Sequence, residues 1–317
     1  MNIRNTSITL AMIAVAATTS VVSAEPPCIT CAPTDHLGVA MKILDNKLRT
    51  GVYVYDQTNP ATTDVGQRVW SASPFQQNPF DPFFVDLPCY GATTDSNLPA
   101  GSQIGFNIRA DLFYWDGNGP VNFGPVPSNE QLRIKYGFQS RIAGTGTGFV
   151  AGFNFQTVPG DGAFHRHLSY FLLGADGNSV PADQDGVQAT DGIYLLELEL
   201  TSTAAGVTKS DPVWIVFRNF PPSRTNADSL QCMALNFAAH RLAFDRAAAD
   251  IDFDRDVDLD DLAYFQACYT GPQVPWSDPC CEWADADIDG DVDMIDFGLF
   301  QRCFAGPNVM VAPQCTE

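Results

Sequence analysis

Asp285-Ala286-Asp287-Ile288-Asp289-Gly290-Asp291-Val292-Asp293-Met294-Ile295-Asp296 sets an acid on every second residue, then leaves two places before the last. Counted from Asp285, the carboxylates fall at positions 1, 3, 5, 7, 9 and 12, with glycine at 6. A 12-residue loop wraps Ca²⁺, which takes six to eight oxygens, from these same positions, using the backbone carbonyl at 7 and often a water at 9. Thirty-five residues earlier the spacing recurs as Asp250, Asp252, Asp254, Asp256, Asp258 and Asp261. Val257 and Val292 share position 8 and are expected to pair across the two loops. Position 6 of the first loop is Arg255, where a positive φ costs a residue with a Cβ about 1–2 kcal/mol. Weaker or altered binding is therefore expected there. Both loops also close with Asp where the standard pattern has a bidentate Glu.

The duplication continues past the loops without a gap. Phe265, Gln266 and Cys268 match Phe300, Gln301 and Cys303; Gly271-Pro272 matches Gly306-Pro307, and Cys280 matches Cys315. An acidic, solvated run is the alternative reading. Strict alternation argues against it, as do the amphipathic segments that follow each loop (Leu262, Tyr264, Phe265; Phe297, Leu299, Phe300). From Asp250 to Asp296 fifteen carboxylates face one base, Arg255, so most of the chain's net charge of −20 is local to this stretch. Without metal these carboxylates repel, so cation binding is expected to be coupled to folding.

Asp-x-Asp-x-Asp-(Gly)-x-Val-Asp-x-x-Asp and one short helix, twice, each copy ending Phe-Gln-x-Cys-x-x-Gly-Pro, resembles a dockerin module of the cysteine-bearing kind. The resemblance covers residues 246–317. It implies a small α module of two calcium loop–helix repeats that holds two Ca²⁺ and docks onto a cohesin-type protein partner. In that family positions 10 and 11 of each loop help contact the partner; here they are Leu259-Asp260 and Met294-Ile295. Many dockerins carry small hydroxyl residues at these places, so the apolar Met294-Ile295 pair implies a more hydrophobic contact. Cys268 to Cys280 and Cys303 to Cys315 lie in register with the repeat. These pairings are expected, with Cys281 left over or taking the place of Cys280.

At the other end, Arg4 precedes the apolar run Ile8–Ala17, and Val21-Val22-Ser23-Ala24 closes it. A basic start, a short apolar middle and a small-x-small end read as a secretory signal, residues 1–24, cleaved near Ala24. No later segment is long and apolar enough for a membrane span, so a soluble, secreted or cell-surface chain without a transmembrane anchor is expected. Nine cysteines suit an oxidising compartment, and their odd number leaves one free or paired outside the chain. Cys28-Ile29-Thr30-Cys31 has the form of a redox motif without its strand–helix context. The balance of 37 acids against 17 bases argues against nucleic acid and anionic membranes as primary partners.

Residues 25–245 alternate short β-type runs with Gly, Pro, Asn and Asp clusters. The runs are 36–43, 51–55, 103–114, 131–138, 148–158, 165–173, 192–201 and 213–220, with a helix expected over 229–248. In the clearest run Leu196, Leu198 and Leu200 share one face, and Glu197 and Glu199 are expected to face water. Val213–Phe217 is apolar on both faces, as a central strand requires. The expected fold is an antiparallel β-sandwich, of which the jelly roll is one form, followed by the small helical module.

None of the common hydrolase, zinc-protease, phosphate-loop or dinucleotide motifs occurs, so the reading leans away from an enzyme. His165 and His167 lie on one strand face and, with His36, make a candidate Zn²⁺ or Cu²⁺ site; a solvated strand face is the plainer reading. Trp70, Trp115 and the Phe80–Phe84 loop are candidate sugar platforms, with buried packing as their alternative use. Three functions result: a non-catalytic exported protein with a calcium-dependent docking tail, a carbohydrate-active hydrolase or polysaccharide-binding protein, and an extracellular zinc- or copper-binding surface protein. The first is preferred.

Overall fold

The structure is a computed structural model that describes residues 37–55, 60–63, 66–76, 80–176, 187–243, 247, 249–251, 256–307, 309, 311 and 315. Its strands are β1 (Leu37–Leu44), β2 (Lys47–Val54), β3 (Ala61–Thr63), β4 (Val69–Ser71), β5 (Phe84–Val85), β6 (Cys89–Ala92), β7 (Gln103–Ile108) and β8 (Phe113–Trp115). They continue with β9 (Gly124–Pro125), β10 (Gln131–Tyr136), β11 (Gln139–Ala143), β12 (Asn154–Thr157), β13 (Phe164–Arg166), β14 (Ser169–Leu173), β15 (Gly192–Ser202) and β16 (Pro212–Asn219). Helices α1 (Ala227–Phe237), α2 (Leu259–Cys268) and α3 (Met294–Cys303) follow, with a π-helical turn at Ala238–Leu242 and a 3₁₀ turn at Pro279–Ala284.

The strands form three sheets, ordered β13-β6-β1-β2-β3, β11-β10-β14-β5 and β12-β7-β15-β16-β4, the last also carrying β8 beside β15 and β9 beside β8. Period-2 alternation explains how β15 and β16 cover two layers at once. Tyr194, Leu196, Leu198 and Leu200, with Val213, Ile215 and Phe217, enter a core shared with residues of all three sheets. Ile193, Leu195, Trp214 and Val216 point the other way, onto Leu230, Ala234 and Leu235 of α1. Strand β16 is thus covered on both faces and flanked on both edges, as its apolar sequence requires. A further core, including Ile251, Val257, Phe265, Trp283, Val292 and Phe300, lies in the C-terminal region.

Several expectations need correction. Pairing is mostly antiparallel, but β1 with β6 and β4 with β16 are parallel. The run 165–173 divides at His167-Leu168 into β13 and β14, which belong to different sheets. The run 103–114 likewise breaks into β7 and β8. Glu197 is half-buried and Glu199 is 6% exposed, because Asn107 donates to Glu199 and Arg109 and Lys209 pair with it. The helix expected from 229 begins at Ala227 and gives way to the π-helical turn at Ala238. Cys268 is bonded to Cys281, not Cys280, whereas Cys303 is bonded to Cys315 as the repeat predicts. Cys232 is also disulfide-bonded, and Cys89 is the free cysteine among the described residues.

Candidate metal centre

The second acidic loop is described throughout. Gly290 at position 6 has φ +98°, a conformation that glycine alone adopts without strain. Asp285 at position 1 accepts from the amides of Asp289 (3.1 Å) and Gly290 (2.9 Å), which folds the loop back on its first carboxylate. At position 12, Asp296 accepts from Ala286 (2.6 Å) and Asp287 (3.2 Å) through one oxygen and from Asp293 (2.7 Å) through the other. One carboxylate therefore ties the two ends of the loop together.

The six acids gather in two trios, Asp285, Asp287, Asp289 and Asp291, Asp293, Asp296, each offering oxygens within 4.8 Å of one another. Asp291 is buried; one of its oxygens accepts from the amide of Gln273, and the other makes no hydrogen bond. Burial raises Asp296 to about 6 despite its backbone donors, and it also lifts Asp285 and Asp287 above their ordinary values. A crowd of six acids, four of them buried and one with an orphaned oxygen, fits a divalent cation, which would relieve both repulsion and desolvation.

In the first loop, Asp256, Asp258 and Asp261 form a third trio within the same distance. Asp261 accepts from Ile251 (2.6 Å) and Asp258 (2.8 Å), as Asp296 does from its counterparts. Asp250 is buried. Asp252, Asp254 and Arg255 lie outside the described residues.

Two features of the site went unread in the sequence. Asp258 and Asp293 are the N-caps of α2 and α3, and each forms a reciprocal capping box with the Asp three residues on. The signal was present as Asp-x-x-Asp before an amphipathic run. The second feature is an exchange between the copies. The carbonyl of Val292 accepts from Thr270 and Gly271 of the first copy (3.0 Å each), and that of Val257 from Ala305 (3.0 Å) and Gly306 (3.1 Å) of the second. Val257 and Val292 are fully buried in one cluster, but the backbone link runs from each loop to the opposite tail. No local pattern announces such a swap.

The positions at 10 and 11 all face solvent: Leu259 is 67% exposed, Met294 62% and Ile295 59%, with Asp260 also exposed. Elsewhere, His165 and His167 pack edge to face at 4.8 Å, and His165 stacks on Tyr55 at 4.1 Å. His167 also lies beside Asp86. His36 lies outside the described residues, and no three-donor group forms around the other two histidines among those described. Trp70 and Trp115 are buried, so packing is their use; Phe80 is exposed.

No helix among the described residues is long and apolar enough to cross a membrane. No protein-family model matches the chain, and no curated protein matches it. Among solved structures, the CooA pilin subunit from enterotoxigenic Escherichia coli matches at 11% identity and a TM-score of 0.26. That match covers 49% of this chain and 91% of the pilin. At that score it carries no argument about function.

Proposed function

We propose that this chain is an exported, non-catalytic protein whose C-terminal module, residues 246–317, binds two Ca²⁺ and docks onto a cohesin-type partner. Residues 25–245 form the β-domain, read as a sandwich, that the docking event places at a ligand or surface. The observation that carries the reading is the pair of in-register acidic loops, each running through an aspartate N-cap into a helix whose first two residues are exposed. Ca²⁺ is preferred over softer metals because every candidate ligand in the loops is a hard oxygen. Mg²⁺ is disfavoured, since it needs near-ideal octahedral geometry and retains its waters. Asp260 offers a polar contact to the partner, and Leu259, Met294 and Ile295 offer apolar ones.

Titration calorimetry of the whole chain with CaCl₂ tests the metal, and surface plasmon resonance against a panel of cohesin-type domains tests the docking. Two calcium sites are expected, with docking abolished by EDTA and by Met294→Asp with Ile295→Asp. Absence of calcium heat would sink the metal reading. Calcium binding without any cohesin-type affinity would sink the docking reading alone.

A further inference from the structure

The second acidic loop faces two ways. Its helix-start residues Met294 and Ile295 look to solvent, whereas its first ligand and its glycine meet the rest of the chain. The Arg241 guanidinium, from the π-helical turn after α1, donates to the backbone carbonyl of Asp285. It also lies 3.6 Å from Glu282, which is 3% exposed and has one oxygen without a hydrogen bond. Across the loop, Gly290 packs against Pro120 of the β-domain so closely that a Cβ there would come within 3.2 Å of the proline Cγ. Helix α1 itself packs against the Pro279–Ala284 turn that leads into the loop. The Trp276 indole, between the two copies, donates to the Asp285 carboxylate at 3.1 Å.

We propose that the cation held by the second loop is also an intramolecular latch, fixing the C-terminal module against the β-domain through Arg241 and Pro120. The inference rests on the calcium reading above. Positions 1 and 6 of the loop make the joining contacts, and a cation determines where those positions sit. Without it, Asp285, Asp287 and Asp289 crowd their oxygens within 4.8 Å and push the loop open. Moving Asp285 then removes a partner from Arg241, whose side chain is only 14% exposed. The lost partner is a backbone carbonyl, and a buried guanidinium left without that hydrogen bond carries the desolvation cost of the unsatisfied donor. Cation binding and module packing must therefore strengthen each other by the same factor. The latch leaves Leu259, Asp260, Met294 and Ile295 free, so the chain would present its docking face in a fixed orientation relative to the β-domain.

Hydrogen exchange of the whole chain, with calcium and with EDTA, tests this, with calorimetry run on the same samples. Calcium is expected to slow exchange about tenfold or more in segments 117–123 and 238–243. Asp287→Asn with Asp289→Asn, at two exposed loop positions, should remove that protection and one calcium site. Arg241→Met with Glu282→Gln replaces the buried pair by neutral groups of similar size. It should keep two calcium sites, weaken one, and lose the calcium-dependent protection in 238–243. Two calcium sites with unchanged exchange in both segments of the unsubstituted chain would overturn the latch and leave the calcium reading standing. No calcium binding would overturn that reading, and the latch with it.

Discussion

Tyr90 and Tyr170 meet hydroxyl to hydroxyl at 2.6 Å, both fully buried among the sheets. Tyr170→Phe strands the Tyr90 hydroxyl and is expected to cost about 1–3 kcal/mol, whereas adding Tyr90→Phe should restore most of it. Urea unfolding of the two single variants and the double gives the cycle; equal and additive losses would contradict it. Glu199 shows the same accounting with charge. Burial pushes its carboxyl up, but Lys209, Asn107 and Arg109 together hold it below the ordinary glutamate range. The fold thus favours the ionised form. Its contribution is complete above the unfolded pKa of about 4.3 and is lost as pH falls through the folded value. Glu199→Gln should be less stable than the parent near pH 7, and the gap should shrink near pH 3 in urea melts. Alternation along β15 placed Glu199 opposite the leucines correctly. It could not show that Arg109, from a distant strand end, would cover it.

At the scale of elements, α2 and α3 are built alike: an aspartate cap with its reciprocal partner, a buried phenylalanine and a terminal cysteine held by a disulfide. The Cys303–Cys315 bridge closes a loop of sequence separation 12. Replacing both cysteines by serine is expected to cost about 3 kcal/mol through the entropy returned to the unfolded chain, measured by chemical unfolding in calcium. The repeat predicted this bridge but misassigned its twin, because Cys281 and Cys280 differ by one place and the 3₁₀ turn decides which faces Cys268. Strand boundaries failed for a related reason. The stretch 165–173 holds no Gly or Pro to mark a break, yet its halves pair with β6 and with β5 and β10. Local pattern registers a face, not a choice of sheet.

For the whole molecule, none of the acidic trios among the described residues lies in the core shared by the three sheets. Chelation should therefore leave hydrogen-exchange protection of β7, β15 and β16 unchanged while exposing α2 and α3. Loss of protection in those strands on adding EDTA would mean that the sheets depend on the cation as well. What the sequence by itself determined is what lies within a dozen or so neighbouring residues: the acidic loops, the glycine at the turn of the second, the starts of the helices and the faces of the long strands. Ligand spacing, capping and alternation act over that range, so they are written locally. Only the tertiary structure decided the three-sheet assembly with its two parallel pairs, the exchange of tails between the copies and the seat of Arg241 against Asp285. Those contacts join groups far apart in the chain, and their partners are selected by how whole faces pack, which no local pattern encodes.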